Sequence, residues 1–199
     1  FNVQRSMFNV QRSMFNVQCS MFNVQWFPMY CTYGSELKVK AELDRLKVEN
    51  YLPMVRMQVE HDGEKRRELV PAIHNLIFVH ESQQAITRLK MFNRQCTAMQ
   101  YMIHRPSVVS DRSEIIVVPD TQMDNFIRVT SVMSDDLVYL KYTDFLDKVS
   151  QRVRVIDGNF TGAEGVIKRI KKDRVVVVLV KGVAAVAITH LPPSYLQPI

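Results

Sequence analysis

A chain of 199 residues, 47% of them apolar, is long enough for one or two domains with buried cores, and its formal charge is +6. No stretch approaches ~20 consecutive apolar residues, which excludes a membrane-spanning helix from the expected elements. The charge is uneven: after Gln151, eight lysines and arginines face only Asp157, Glu164 and Asp173, leaving +5 there and about +1 before it.

The chain opens on FNVQRSM, FNVQRSM, FNVQCSM and FNVQ, a seven-residue repeat. On a helix its Phe falls opposite Val and Met, and on a strand the odd period throws successive phenylalanines onto alternate faces. Neither structure buries one face, so residues 1–25 are expected to be a disordered tail, with Met21 a sensible start of the protein. The repeat lacks the apolar core and small-residue cleavage site of a signal peptide. An oligomerisation arm is the functional alternative.

From Trp26 the character changes. Trp26 to Cys31 (WFPMYC) reads as an aromatic-rich strand, with Pro28 pointing to an edge or irregular position. Ser35 is a candidate N-cap for a helix whose Val39, Leu43 and Leu46 form one apolar stripe, with Lys38, Lys40, Glu42 and Arg45 on other faces. Val48 to His61 reads as a long strand, Asp62-Gly63 as a hairpin turn into Lys65 to Val70, and Asn75 to His80 (NLIFVH) as an apolar central strand. Ser82 to Met91 is expected to be a second helix with Ala85, Ile86 and Leu89 on one face. Ala98 to His104 and Ile115 to Val118 are expected strands, and Pro119-Asp120 opens a last helix carrying Met123, Phe126 and Ile127. This order predicts an α+β sandwich with the helices on one face of a mostly antiparallel sheet. Residues 132–148 are of mixed character and read as a linker.

The last part dictates its geometry most completely. Val153 and Val155 alternate with Arg154 and Ile156 as in a half-buried strand, and Asp157-Gly158 is suited to a tight turn. Gly162 and Gly165 follow, then a strand through Val166, Ile167 and Ile170. A turn at Lys172-Asp173-Arg174 leads into Val175 to Val180, too β-branched and too short for a helix. A small basic β-barrel over 149–199 is expected, with RNA or an acidic partner as one use of its charge and a solubilising face as the other.

Cys19, Cys31 and Cys96 form no CxxC pair, and the five histidines form no HxxxH or HExxH. Neither a disulfide framework nor a metal site is indicated, and a reducing, cytoplasmic setting fits. With no phosphate-binding glycine loop and no GxSxG elbow, neither cofactor nor enzymatic chemistry is expected.

Two resemblances sharpen this reading. Val153, Val155, Gly158, Phe160, Gly162, Gly165 and Ile170 resemble a KOW motif, the small SH3-like barrel found in ribosomal proteins and elongation factors. Ahead of it, Trp26-Phe27 with Tyr30, then Leu52-Pro53, then Asn75-Leu76-Ile77-Phe78-Val79 resemble the NGN domain over residues 26–131. Together they resemble the NusG family of transcription elongation factors, with Tyr30-Cys31 and the NLIFV strand closest to its specialised RfaH and UpxY branches, the latter serving capsular polysaccharide operons.

The resemblance implies a cytoplasmic monomer that binds the clamp helices of RNA polymerase and suppresses pausing or termination without chemistry of its own. By position, Tyr30, Leu76 and Phe78 would line the polymerase pocket. Thr87 and Arg88 would lie near the polymerase's opposite jaw, and Lys38, Lys40 and Arg45 would face non-template DNA. The barrel would recruit a ribosomal protein or a termination factor. Leu76 stands where many relatives carry tyrosine, and Lys181 where NusG carries an aromatic residue. The alternative is a ribosome-associated RNA-binding KOW protein, which leaves the front domain without a role.

Overall fold

The computed structural model describes residues 23–61, 64–104, 113–140, 151–170 and 173–199. Residues 1–22 of the repeat, the turn at Asp62-Gly63 and residues 141–148 of the expected linker lie outside the described residues, whereas Val24 and Gln25, expected to belong to the disordered tail, are in a strand opposite Ser82 and Glu81.

A four-stranded antiparallel sheet forms the front of the molecule. Its strands are β1 (Val24–Cys31), β2 (Glu49–Tyr51), β5 (Leu76–Ser82) and β6 (Met99–Tyr101), in the order β2-β5-β1-β6. In the β1–β5 register Tyr30 opposes Leu76, Pro28 opposes Phe78 and Trp26 opposes His80. Directly opposed residues share a face. Phe27, Met29, Cys31, Ile77 and Val79 therefore face one side, and Trp26, Tyr30, Leu76 and Phe78 face the other.

On the first side lie α1 (Glu36–Arg45) and α2 (Gln83–Phe92). Val39 and Leu43 of α1 and Ile86 of α2 are fully buried against Phe27, Met29, Ile77 and Val79. Of the expected stripes, Val39, Leu43 and Ile86 are fully buried, while Leu46, Ala85 and Leu89 are half-buried. Ser82 caps α2 as a serine should, its Oγ accepting from the Ala85 N–H at 3.3 Å. Ser35 does not cap α1 with its side chain, because its hydroxyl donates to the Thr32 carbonyl at 2.7 Å instead.

The expectation of helices on a single face is corrected by α3 (Asp120–Thr130), which covers the second side. Its Met123, Phe126 and Val129 join Trp26, Leu76 and Phe78 in one buried cluster. Ile127, expected on the apolar stripe, is only partly buried, and Val129 takes that place. The reason lies in the sheet: with large apolar residues on both faces, one layer of helices leaves the other face wet. The long strand expected over 48–61 is broken at Leu52-Pro53, where Pro53 has no N–H for a ladder and its carbonyl accepts from Ala72 at 2.8 Å. Beyond the break, β3 (Met54–His61) and β4 (Glu64–Pro71) pair with each other as a separate two-stranded ribbon. β7 (Ile103–His104) and β8 (Glu114–Ile115) form a second small pair.

The rest of the chain is a six-stranded antiparallel sheet of β9 (Leu137–Leu140), β10 (Arg152–Val155), β11 (Glu164–Ile170), β12 (Asp173–Val180), β13 (Ala184–Ile188) and β14 (Leu196–Pro198). The order is β14-β10-β11-β12-β13-β9. The alternation of Val153 and Val155 with exposed arginines is observed. Val175–Val180 is a strand, and it is buried on both faces save Leu179, which is half-buried. β9 lies inside the stretch expected to be a linker and pairs with β13, Leu140 opposite Ala185. Of the turn glycines, Gly158 has φ +83° and Gly162 φ +85°, the left-handed region that favours glycine. Gly165 is required for another reason: a Cβ there would lie 2.7 Å from both Val176 Cγ1 and the Val177 carbonyl oxygen. Ile170 ends β11 opposite Asp173, and Phe160 is buried in the core.

The front sheet and the second sheet meet across α3. Met123, Phe126 and Val129 share one cluster with Val153, Val176, Val178, Val180 and Val186. On the helix's polar side, Asn125 Nδ2 donates to the Glu164 carbonyl at 2.6 Å while its Oδ1 accepts from the Glu164 N–H at 2.9 Å. One side-chain amide thus occupies a β-strand's backbone donor and acceptor together.

Candidate functional site

Tyr30, Leu76 and Phe78 share one face of the front sheet, as strand alternation requires, and they differ sharply in exposure. Tyr30 is 45% exposed, Leu76 is 4% exposed and Phe78 is fully buried. The Phe78 ring packs 5.6 Å from that of Phe126, which stands edge-on to Tyr51 at 6.4 Å. Two polar clasps hold α3 over this face. The Tyr51 hydroxyl lies 2.5 Å from Thr130 Oγ1, and Thr130 in turn donates to the Phe126 carbonyl at 2.7 Å. At the helix's other end, Val118 N–H donates to the Trp26 carbonyl at 2.9 Å. The Trp26 indole stacks on His80 at 4.7 Å, and His80 Nδ1 lies 2.5 Å from Glu49 Oε2. Of the three residues, Tyr30 alone presents a surface to a partner.

Beside Tyr30 the backbone turns sharply. Tyr33 and Asn75 both adopt positive φ, +56° and +62°, and Tyr33 is 99% exposed. Glu36, buried to 3% exposure, holds this turn together: its Oε1 accepts from the Asn75 N–H at 3.3 Å, and the Asn75 Oδ1 accepts from the Gly34 N–H at 3.0 Å. The packing reaches Cys31 behind it, whose thiol is pushed up to about 12 by burial and by the nearby Glu36 carboxylate.

The basic residues of α1 are less available than their number suggests. Lys40 Nζ lies 3.1 Å from Asp44 Oδ2 and 3.3 Å from Asn50 Oδ1. The Arg45 guanidinium takes Glu42 in two hydrogen bonds, at 2.9 and 2.7 Å. The Arg45 and Asn93 hydrogen bonds hold the Glu42 carboxyl near pKa 2. Asp44 is lowered by Asn50 and Lys40. Lys38 is exposed and has neither kind of partner among the described contacts. On α2, Thr87 Oγ1 donates to the Gln83 carbonyl at 2.8 Å and lies 3.2 Å from the Tyr101 hydroxyl, while Arg88 is exposed.

The structure therefore brings Tyr30, Leu76 and Phe78 onto one face, and places Lys38, Lys40 and Arg45 on a helix packed against the opposite face. What sequence reasoning missed is the end of α2. There Met91 is 69% and Phe92 83% exposed, although Phe92 continues the stripe of Ala85 and Leu89. The available signal was charge: from Ser82 to Ser110 the chain has no Asp or Glu, and it carries Arg88, Lys90, Arg94 and Arg105. Among the described residues, no group of His, Cys, Asp and Glu could hold a metal ion, and no helix is long and apolar enough to cross a membrane.

Comparison with known families matches residues 24–127, just over half of the chain, to the family described as transcription termination factor NusG. No curated protein matches. Among solved structures, one describing domain interaction in Thermotoga maritima NusG is 18% identical, with 89% of this chain and 98% of that chain covered and a TM-score of 0.42.

Proposed function

The chain belongs to the NusG family of transcription elongation and termination factors, and from that premise we propose that it binds RNA polymerase through its front sheet and suppresses pausing or termination. The observation that carries this reading is the exposed Tyr30 ring at the edge of a rigidly backed apolar face. An aromatic side chain with few rotatable bonds, on a strand that cannot yield, loses little entropy on binding and makes a good anchor. Leu76 and Phe78 act from behind, shaping the face on which Tyr30 sits. The specialised, operon-restricted role, of the kind served by the UpxY branch in surface polysaccharide synthesis, is supported by Tyr30-Cys31 and the NLIFV strand. The second sheet, read as the KOW module, is the surface for a ribosomal protein or termination factor.

The test is a Tyr30→Ala variant assayed for polymerase binding and for read-through on a template with a pause and a terminator. The expected loss is about 2 kcal/mol of binding free energy with an unchanged melting temperature. Equal affinity for polymerase would remove Tyr30 as the anchor. Lys38 offers a second check: as the α1 cation with no ion pair among the described residues, its replacement by alanine should lower the salt dependence of complex formation on DNA by about one ion, whereas Arg45→Ala should change it less. Salt titrations of the assembled complex decide between them. The ribosome-associated alternative gives residues 24–127 no task, and co-purification dominated by ribosomal subunits would be needed to revive it.

A further inference from the structure

We propose that the cleft between α3 and the second sheet binds a small organic phosphate of the nucleoside phosphate class, with Arg128 and Lys181 on the phosphate and Val166 and Leu179 against the apolar body. The site does not depend on the polymerase-binding reading.

The cleft is large and its walls are fixed. Its volume is about 780 Å³, inside the range of about 300–1,000 Å³ in which small ligands are usually held, and it lies where two layers meet, a common place for such sites. One wall is the polar side of α3, where Thr121, Asn125 and Arg128 fall one above another at helical spacing. The facing wall is made by β11 and β12. Two bridges tie the walls together: Asn125 holds both backbone groups of Glu164, and the Lys181 N–H donates to Gln122 Oε1 at 3.3 Å. A ligand entering this space finds both walls already in place, so binding requires little ordering of the protein.

The charges around the cleft are unequally satisfied. Glu164 is taken by two arginines, Arg154 at 2.6 Å and Arg152 at 3.7 Å, which leaves that group one positive charge in excess. Arg128 and Lys181 form no ion pair among the described residues, and Asp124 is the remaining carboxylate of the described lining. Counting Arg154 with the carboxylate it holds, four cations meet two carboxylates. The Arg128 head has a defined place although the residue is exposed. A Cβ on Gly162, at φ +85°, would come within 3.1 Å of Arg128 Nη1, so the guanidinium rests over bare backbone that a side chain would take from it.

The chemistry of the occupant follows from what is left unpaired. A carboxylate brings one charge and leaves a cation idle, whereas a phosphate group carries about −1.5 to −2 at neutral pH and three acceptor oxygens, enough for a guanidinium and an ammonium together. Val166 and Leu179 are half-buried apolar side chains on one face of two paired strands. They offer a dry surface to a flat body such as a base, and Thr121 adds a hydroxyl for its edge. An acidic protein segment would satisfy the cations but has no use for the apolar pair.

The experiment uses the full chain and ATP without magnesium. Calorimetric titration should show one saturable site, and ATP at about ten times its dissociation constant should raise the melting temperature by about 3–6 °C. Adenosine and inorganic phosphate, each carrying half of the ligand, should both bind more weakly than ATP by about tenfold or more. Arg128→Ala and Lys181→Ala should each weaken ATP about tenfold, the size of one charge-assisted contact. Both should melt as the parent chain does without ligand, because neither side chain has an ionic partner to lose among the described residues. Leu179→Ala should weaken ATP and leave inorganic phosphate as it was.

Equal ATP affinity in the parent, Arg128→Ala and Lys181→Ala overturns the proposal, as does the absence of a saturable site. Polyglutamate that displaces ATP and binds more tightly would assign the cleft to an acidic protein segment, and a 5′-phosphorylated oligonucleotide that does so would assign it to the end of a strand; either result overturns it. Tyr30→Ala should leave ATP affinity unaltered, and Arg128→Ala should leave polymerase affinity unaltered, so the failure of either reading is visible separately.

Discussion

Phe78→Ala is expected to lower the unfolding free energy by about 3–5 kcal/mol, the usual cost of removing a fully buried ring. The site gives no room for relief. Phe78 is fully buried, its ring lies 5.6 Å from Phe126, and Phe126 belongs to the same cluster as the valines of the second sheet. A cavity at this point opens under α3, the element that joins the two sheets. At a chain of this size the melting temperature should fall by about 10 °C, and one broad loss of structure should be seen by probes of either sheet. Binding to polymerase should weaken only as the folded fraction falls. A variant that melts as the unchanged protein does, and loses polymerase affinity, would place Phe78 at the contact surface and not in the core.

What could be read from the residues alone follows a physical division. Elements whose information is local were legible. Val39 and Leu43 mark the buried side of α1, Val153 and Val155 alternate with exposed arginines, and the β-branched run at 175–180 can only be a strand. Elements whose information sits in a distant partner were not. Leu137–Leu140 shows no pattern of its own that demands a strand, and becomes one because β13 offers an unpaired edge. Lys40 and Arg45 look like free cations until the rotamers that bring them to Asp44 and Glu42 are known.

The candidate site divides in the same way. Alternation put Leu76 and Phe78 on one face, and the β1–β5 register adds Tyr30 to it, but which of them meets solvent depends on where α3 lies, and α3 is placed by contacts with both sheets. Phe92 lay one residue beyond the helix expected over Ser82 to Met91, and its exposure in the last turn depends on whether the next layer reaches that far. The run without acidic residues from Ser82 to Ser110 was the one sequence feature that could have drawn attention to it.

The joint between the two sheets yields the second large expected effect, at Asn125. Its amide both donates to the Glu164 carbonyl at 2.6 Å and accepts from the Glu164 N–H at 2.9 Å. Asn125→Ala removes both bonds from a part-buried strand end that water can partly repair, and about 2 kcal/mol is expected. Asn125→Asp should cost more at neutral pH, about 3 kcal/mol, because a carboxylate keeps the bond from the N–H but sets a negative oxygen against the carbonyl where a donor stood. Arg128, one turn along the helix, is exposed and offsets this by well under 1 kcal/mol.

The pH dependence separates the two variants. Only the neutral carboxyl can donate to the Glu164 carbonyl, so the introduced acid has a raised pKa in the folded state. The folded state then binds more protons than the unfolded one, and stability rises as pH falls from neutrality through the raised folded value toward the ordinary carboxylate range. Asn125→Ala has no such proton to bind and should follow the parent chain's own pH profile. Urea denaturation of both variants at a series of pH values is the measurement. If the Asn125→Asp curve runs parallel to that of Asn125→Ala, the side chain at 125 does not bridge to the second sheet.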